Sequence, residues 1–155
     1  MADAVVTTLL NTGLRVDELV RLTWEDVIPR LRSGAARIHG KRETVWVVPL
    51  NGAAREALAA IRPVAAASGS VFRGTRGPRT DRGIRNLLAA LGRRDAAAGV
   101  HHQRFRHDAT RRLVEAVDLP TVAALLGHSR LDTVRLYSQR DQAALERAAA
   151  ALEAR

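Results

Sequence analysis

The stretch Gly99–Arg112, GVHHQRFRHDATRR, carries three of the chain's five histidines and four arginines. Imidazoles and guanidiniums at that density suit a metal ion or a phosphate. Ligand pairs on a helix need i,i+3 or i,i+4 spacing, as in H-E-x-x-H. Here His101 and His102 are adjacent, His107 lies five beyond His102, and Asp108 is the one carboxylate at a matching position. That spacing argues against a metal. A phosphodiester fits better: arginine forks match phosphate oxygens in a bidentate way and stabilise the negative charge that grows during phosphoryl transfer. The plainer alternative is a basic helix face that lies on DNA without chemistry, or is simply solvated.

A second segment, LLGHSRLDTVRLY, places His128 nine positions before Tyr137, the only tyrosine in the chain. A phenol with an ordinary pKa of about 10 is a poor nucleophile at neutral pH unless its site favours the phenolate. Arginines and a neighbouring histidine would do that. The alternative is a helix residue with its ring in the core and its hydroxyl at the surface.

The elements that must position these groups are short and mostly helical. Residues 3–11 read as a helix broken at Asn11-Thr12-Gly13, and VDELVRL as a short helix with Asp17 and Glu18 at its positive end. RIHG and TVWVVPL are β-like runs joined by the basic turn GKRE. Asn51 is placed to N-cap an Ala-rich helix, and SGSVFRGTRGPRT reads as a loop with a small strand at Val71-Phe72. Thr80 or Asp81 starts a helix to about Leu91, and another runs from about Gln103 to Ala116. Leu119-Pro120 opens a helix closed by Gly127, SRLD caps the helix bearing Tyr137, and DQAALERAAAALEAR forms the last. The fold class is therefore mainly α (α+β), with a small antiparallel sheet on one side. With no internal repeat or second domain visible, residues 1–155 are expected to form one domain.

Composition narrows the partner. The 155 residues carry 25 Lys+Arg against 16 Asp+Glu, a net charge of +9, nearly all of it from arginine. Such an excess points to a polyanion, most often nucleic acid, although a GC-rich coding bias toward Ala and Arg would also produce it. Aromatic residues at 3% leave few stacking platforms for single-stranded bases. The absence of cysteine removes disulfides and thiolate–metal sites and fits a cytoplasmic protein. No apolar stretch approaches the roughly 20 residues of a membrane span, and the N-terminus lacks a signal-peptide pattern.

Taken in order, TGLRVDEL, GKRETVWVVPL, RFRH, LLGHS and the tyrosine resemble the catalytic domain of the tyrosine recombinases, the phage integrase family. Each motif is short, but the ordered set covers almost the whole chain. The lysine lies eight residues before Pro49 and the histidine nine before the tyrosine, as in the family. The resemblance implies a helical catalytic domain with about three antiparallel strands. It implies DNA strand cleavage and rejoining through a 3′-phosphotyrosyl link, for DNA integration or recombination, without metal, cofactor or ATP. Arg15 and Arg106 would grip the non-bridging oxygens of the scissile phosphate. Lys41 would protonate the leaving 5′ oxygen, His128 would hydrogen-bond the phosphate, and Tyr137 would attack. Glu18 would act as a buttress, and His107 as a supporting or helix-packing residue. A type IB topoisomerase would share this chemistry.

Three features depart from the family or extend it. Where the family has a histidine three residues before the second arginine, this chain has Gln103, which can donate a hydrogen bond but not shuttle a proton. Weakened cleavage is expected, and the rival reading is a degenerate recombinase that binds DNA or regulates an active partner. The chain begins about a dozen residues before Arg15, so the N-terminal helical domain that completes the family's clamp is expected to be missing. Arg79, Arg82 and Arg85, in an arginine ladder of period three, are expected to meet backbone phosphates, as is Arg104, the alternative for the ladder being a solvated arginine-rich face. The expected partners are double-stranded DNA and further copies of the chain, as a tetramer on DNA, with no membrane and no small-molecule substrate, in a bacterial cytoplasm. Residues 139–155 are read either as packing on their own domain or as passed to a neighbouring protomer.

Overall fold

The computed structural model describes residues 1–29, 33–41, 43–64, 68–94, 102–127 and 142–152. Helix α1 (Ala2–Thr12) lies at the centre, with Ala4, Val5 and Leu9 buried. It packs against α3 (Gly52–Ala59), α4 (Asp81–Arg94), α5 (His102–Ala116) and strand β3 (Val45–Leu50). The short α2 (Val16–Arg21) follows α1 after a three-residue turn, and α6 (Leu119–Leu125) follows α5. One apolar cluster joins Leu9, Leu19, Ile38, Leu58, Phe72, Ile84, Leu113, Leu125 and Leu152, so every layer shares the same core. Among the described residues, no helix is long and apolar enough to cross a membrane.

The sheet has the order β1 (Val27–Pro29), β2 (Gly34–His39), β3, all antiparallel. The register pairs Arg37 with Val47 and His39 with Val45, which sets Lys41 in the turn that closes the β2–β3 hairpin. Lys41 is exposed there. Its carbonyl accepts from the Thr44 hydroxyl at 2.8 Å, and the Gly40 N–H donates to the Thr44 carbonyl at 2.8 Å. Asn51 caps α3 as its sequence position suggests, accepting the Ala54 N–H at 3.0 Å.

Two boundaries differ from expectation. Val71 and Phe72 are not a strand: both are buried, held by single bonds from Val71 N–H to the Leu22 carbonyl and from Arg79 N–H to the Phe72 carbonyl. The hairpin forms just after them, as β4 (Arg73–Gly74) and β5 (Gly77–Pro78). Apolar β-formers there anchor a loop to the core instead of pairing. Helix α4 runs on to Arg94, because Gly92 is tolerated inside it.

The last described helix, α7 (Gln142–Ala151), packs on α5, α6 and β3 of its own chain. Ala148 and Ala149 are buried there. Asn51 Nδ2 donates to the Ala149 carbonyl at 3.0 Å, and Arg112 Nη1 to the Leu152 carbonyl at 2.8 Å.

Candidate functional site

The site begins at the end of α1. Gly13 adopts φ 65°, ψ 16° and closes the helix by donating to the Leu9 carbonyl at 3.0 Å. Glycine is required there twice over. The left-handed backbone disfavours a side chain, and a Cβ would come within 2.6 Å of Leu126 Cδ2. The turn delivers Arg15 as the N-cap of α2 in an extended conformation. Glu18, three residues on, accepts the Arg15 N–H at 2.7 Å through Oε2 and the Arg15 guanidinium at 2.8 Å through Oε1. Glu18 is buried, while the Arg15 side chain remains 46% exposed. The carboxylate therefore holds the arginine from beneath, and among the described residues its outer face is exposed.

Arg106 comes from α5. Its Nη1 donates to the Gly13 carbonyl at 2.7 Å and its Nη2 to the Leu126 carbonyl at 3.0 Å, so one guanidinium bridges the C-terminal ends of α1 and α6. A cation at those carbonyls also meets the negative ends of two helix dipoles. Glu18 Oε2 lies 3.8 Å away, so one carboxylate serves both arginines. Burial and the neighbouring charge of Arg15 push the Arg106 pKa below the ordinary guanidinium value, against the pull of Glu18 and Asp17. Guanidinium stays cationic at neutral pH throughout such shifts.

Arg15, Arg106 and Gln103 line one cavity of about 290 Å³, together with Leu14, Val16, Asp17 and Arg85. Gln103 and Arg106 share a face of α5 because they are three residues apart. Arg85 arrives from α4, which packs on α2. The sequence assigns Arg85 to the DNA backbone and gives no sign of its place in this cavity. Periodicity shows which face of a helix a residue occupies, not what that face looks toward.

The remaining expected residues are placed as follows. Lys41 lies on the β2–β3 hairpin, whose strand β3 is fastened to α6 by Trp46, the Nε1 of which donates to the Leu125 carbonyl at 3.3 Å. Gly127, with φ 64°, sits against the Trp46 ring so closely that a Cβ would fall 2.3 Å from it. His128 and Tyr137 lie outside the described residues, as does the capping box at 129–132. His107 is exposed and is not among the cavity-lining residues. Adjacent helix positions point about 100° apart, so the residue after Arg106 turns away from what Arg106 faces. Arg82 and Arg104 are exposed, the latter 3.9 Å from Asp108. Arg79 packs over Gly74 in the β4–β5 hairpin. Among the described residues, no group of three or more histidine and carboxylate side chains is placed to hold a metal ion.

The family model described as the phage integrase family matches residues 2–144. The chain belongs to the phage integrase family. Among its relatives is a tyrosine recombinase XerC of Pseudomonas aeruginosa, 35% identical over 146 residues, an alignment covering 89% of this chain and 47% of the relative. The XerC of Pseudomonas fluorescens is 32% identical over 144 residues, covering 89% and 48%. The chain thus spans about half the length of these relatives. Solved structures of the family share the fold. The integrase from mycobacterium phage Brujita superposes with a TM-score of 0.74 at 24% identity, over 94% of this chain and 50% of that one. The XerH site-specific recombinase, solved in a pre-cleavage complex with its difH substrate, gives 0.68 at 23% identity, over 96% and 46%. The family's fold therefore accounts for the mainly helical architecture and the three-stranded sheet.

Proposed function

We propose that this chain is the catalytic portion of a site-specific DNA recombinase or integrase that breaks and rejoins DNA through its tyrosine. The observation that carries the reading is the cavity where Arg15, from the α1–α2 turn, meets Gln103 and Arg106 of α5. Two guanidiniums held by one buried carboxylate suit a single phosphodiester. In the proposed step the Tyr137 hydroxyl oxygen attacks phosphorus, the bond from phosphorus to the 5′ oxygen breaks, and Lys41 gives its proton to that oxygen. The phenolic proton passes to His128 or solvent. Phosphorus is left joined to the tyrosine and to the 3′ oxygen. A second 5′-hydroxyl reverses the step and regenerates the phenol. One phosphodiester is exchanged for another, so bond energy is retained.

Lys41 is the only lysine in the chain. That supports its role, because arginine cannot serve as a proton donor near neutral pH. Double-stranded DNA is the proposed partner, with several copies of the chain, as a tetramer, on one site in the bacterial cytoplasm. Arg79, Arg82 and Arg104 would meet backbone phosphates away from the reacting one. Gln103 favours a second reading, in which the chain binds DNA without cutting it.

A nicked suicide duplex from a randomised pool, or from DNA flanking the gene, separates the two. A denaturant-resistant adduct that is lost in Tyr137→Phe and increased in Gln103→His supports the enzyme. Salt-sensitive DNA binding with no adduct from any variant supports the second reading. An adduct that persists in Tyr137→Phe rules out Tyr137 as the nucleophile.

A further inference from the structure

We infer that Arg85 is a third guanidinium ligand of the scissile phosphate, supplying the positive charge that Gln103 lacks. The inference rests on the functional reading above. Three observations support it.

First, Arg85 lines the same cavity as Arg15, Gln103 and Arg106, although it comes from a different helix and belongs to none of the catalytic motifs. Second, its orientation is fixed. Asp81, one turn earlier on α4, accepts from Arg85 Nε through Oδ1 and from Nη2 through Oδ2 at 3.0 Å. That side-on pairing occupies one edge of the guanidinium, and among the described residues the Nη1 edge has no partner. A planar group held by one edge can present the other to an oxyanion with little loss of freedom on binding. Third, the cavity lacks a charged donor where the family has its histidine. Gln103 offers a neutral amide, exposed at the cavity wall. Among the lining residues the only carboxylate is Asp17, and it pairs with Arg21 at 2.8 Å. Asp17 also acts on Arg85 and Arg106 through its charge, so the described lining sets three guanidiniums against one carboxylate.

The role separates Arg85 from the rest of the arginine ladder. Arg82, three residues earlier, is exposed on the same helix but does not line the cavity. It serves as the internal control: a positive charge on α4 without access to the reacting phosphate.

The test compares the wild-type chain, Arg85→Gln, Arg85→Lys and Arg82→Gln, each also combined with Gln103→His. Adduct formation on the nicked duplex is measured at saturating protein, and the salt dependence of duplex binding is measured separately. Arg85→Gln is expected to slow adduct formation by about 10- to 100-fold, at or below the lower end of what one transition-state donor supplies. Arg85→Lys should recover part of it. In the Gln103→His background the loss should shrink, because the introduced imidazole restores the missing charge. Arg82→Gln should lower the salt slope of duplex binding by about one, the reference for a plain backbone contact. Arg85 is exposed, so circular dichroism and the urea midpoint should not move.

An unchanged adduct rate in Arg85→Gln, with the salt slope reduced as in Arg82→Gln, overturns the inference and makes Arg85 an ordinary backbone contact. Equal losses in the presence and absence of the Gln103→His substitution overturn the compensation. A wild-type chain that forms no Tyr137-dependent adduct overturns the functional reading itself, and this inference with it. The two failures are therefore distinguishable in the first lane.

Discussion

Glu18 binds Arg15 twice, through the main-chain N–H at 2.7 Å and through the guanidinium at 2.8 Å. The first bond closes the N-terminus of α2, and the second aims a cation at the cavity. Both tasks fall on one buried side chain, and its other neighbour is Arg106 at 3.8 Å. Glu18→Ala removes all of this and leaves two guanidiniums facing each other. The expected cost is about 1 to 3 kcal/mol in urea unfolding, together with loss of adduct formation. Glu18→Gln keeps an oxygen for the Arg15 N–H, so it should recover most of the stability and much less of the activity. Equal recovery of both would show that the charge of Glu18 does not matter.

Arg106→Lys tests the bridge between helix ends. An ammonium is a point donor and cannot span the Gly13 and Leu126 carbonyls with the geometry of a fork. The expected loss is about 2 kcal/mol, from hydrogen bonds to a charged group that are no longer made. A lysine variant as stable as wild type in urea would remove the bridge from the account of the fold.

Gly127→Ala tests the seat of α6 against the sheet. The substitution meets a left-handed backbone and a rigid indole 2.3 Å from the new Cβ. Strain and overpacking together should cost about 2 to 3 kcal/mol. Trp46 must move, and with it the bond to the Leu125 carbonyl, so its fluorescence should shift before global unfolding. An unchanged spectrum and midpoint would refute the contact.

Acid should loosen the Lys41 hairpin. Burial raises the pKa of Asp26, but hydrogen bonds from His39 and Thr23, and the charge of His39, outweigh it and hold the carboxylate below its ordinary value of 3.8. His39 Nε2 lies 2.9 Å from Asp26 Oδ1, and the Thr23 hydroxyl donates to Oδ2 at 2.8 Å. A carboxylate whose folded-state pKa is depressed stabilises the fold above its unfolded value, and that stability drains away as pH falls through the folded value. The melting temperature should therefore fall on acidification below about pH 5. Asp26→Asn should lower stability near neutrality by about 1 kcal/mol and flatten the acid limb. A variant with an unaltered acid limb would assign the loss to other carboxylates.

Local chemistry makes much of this legible from the chain alone. Asn51 is readable as a cap because a side-chain oxygen before an Ala-rich run has a short-range partner, and Ala54 is only three residues away. Gly13 and Gly127 are readable as helix ends because left-handed backbone has few other occupants. The limits are long-range. The partners of Arg106 lie 93 and 20 residues away, and both are main-chain carbonyls, which leave no trace in a sequence. Arg85 falls on the expected helix but faces elsewhere, since only the packing of α4 on α2 turns it to the cavity. Val71-Phe72 looks like a strand because apolar β-formers suit a buried anchor equally well.

Arg106 and Lys41 differ in what would keep them through generations of drift. The guanidinium of Arg106 ties two helix ends, so a descendant that had stopped cutting DNA would still be punished for losing it. Lys41 is exposed, and among the described residues its ammonium has no partner, so folding gives no reason to retain it. It is nevertheless the single lysine beside 24 arginines, 25 basic residues less one, in a chain whose composition otherwise turns basic positions into arginine. Of the two, Lys41 is the residue whose retention speaks to the proposed chemistry and not to the fold.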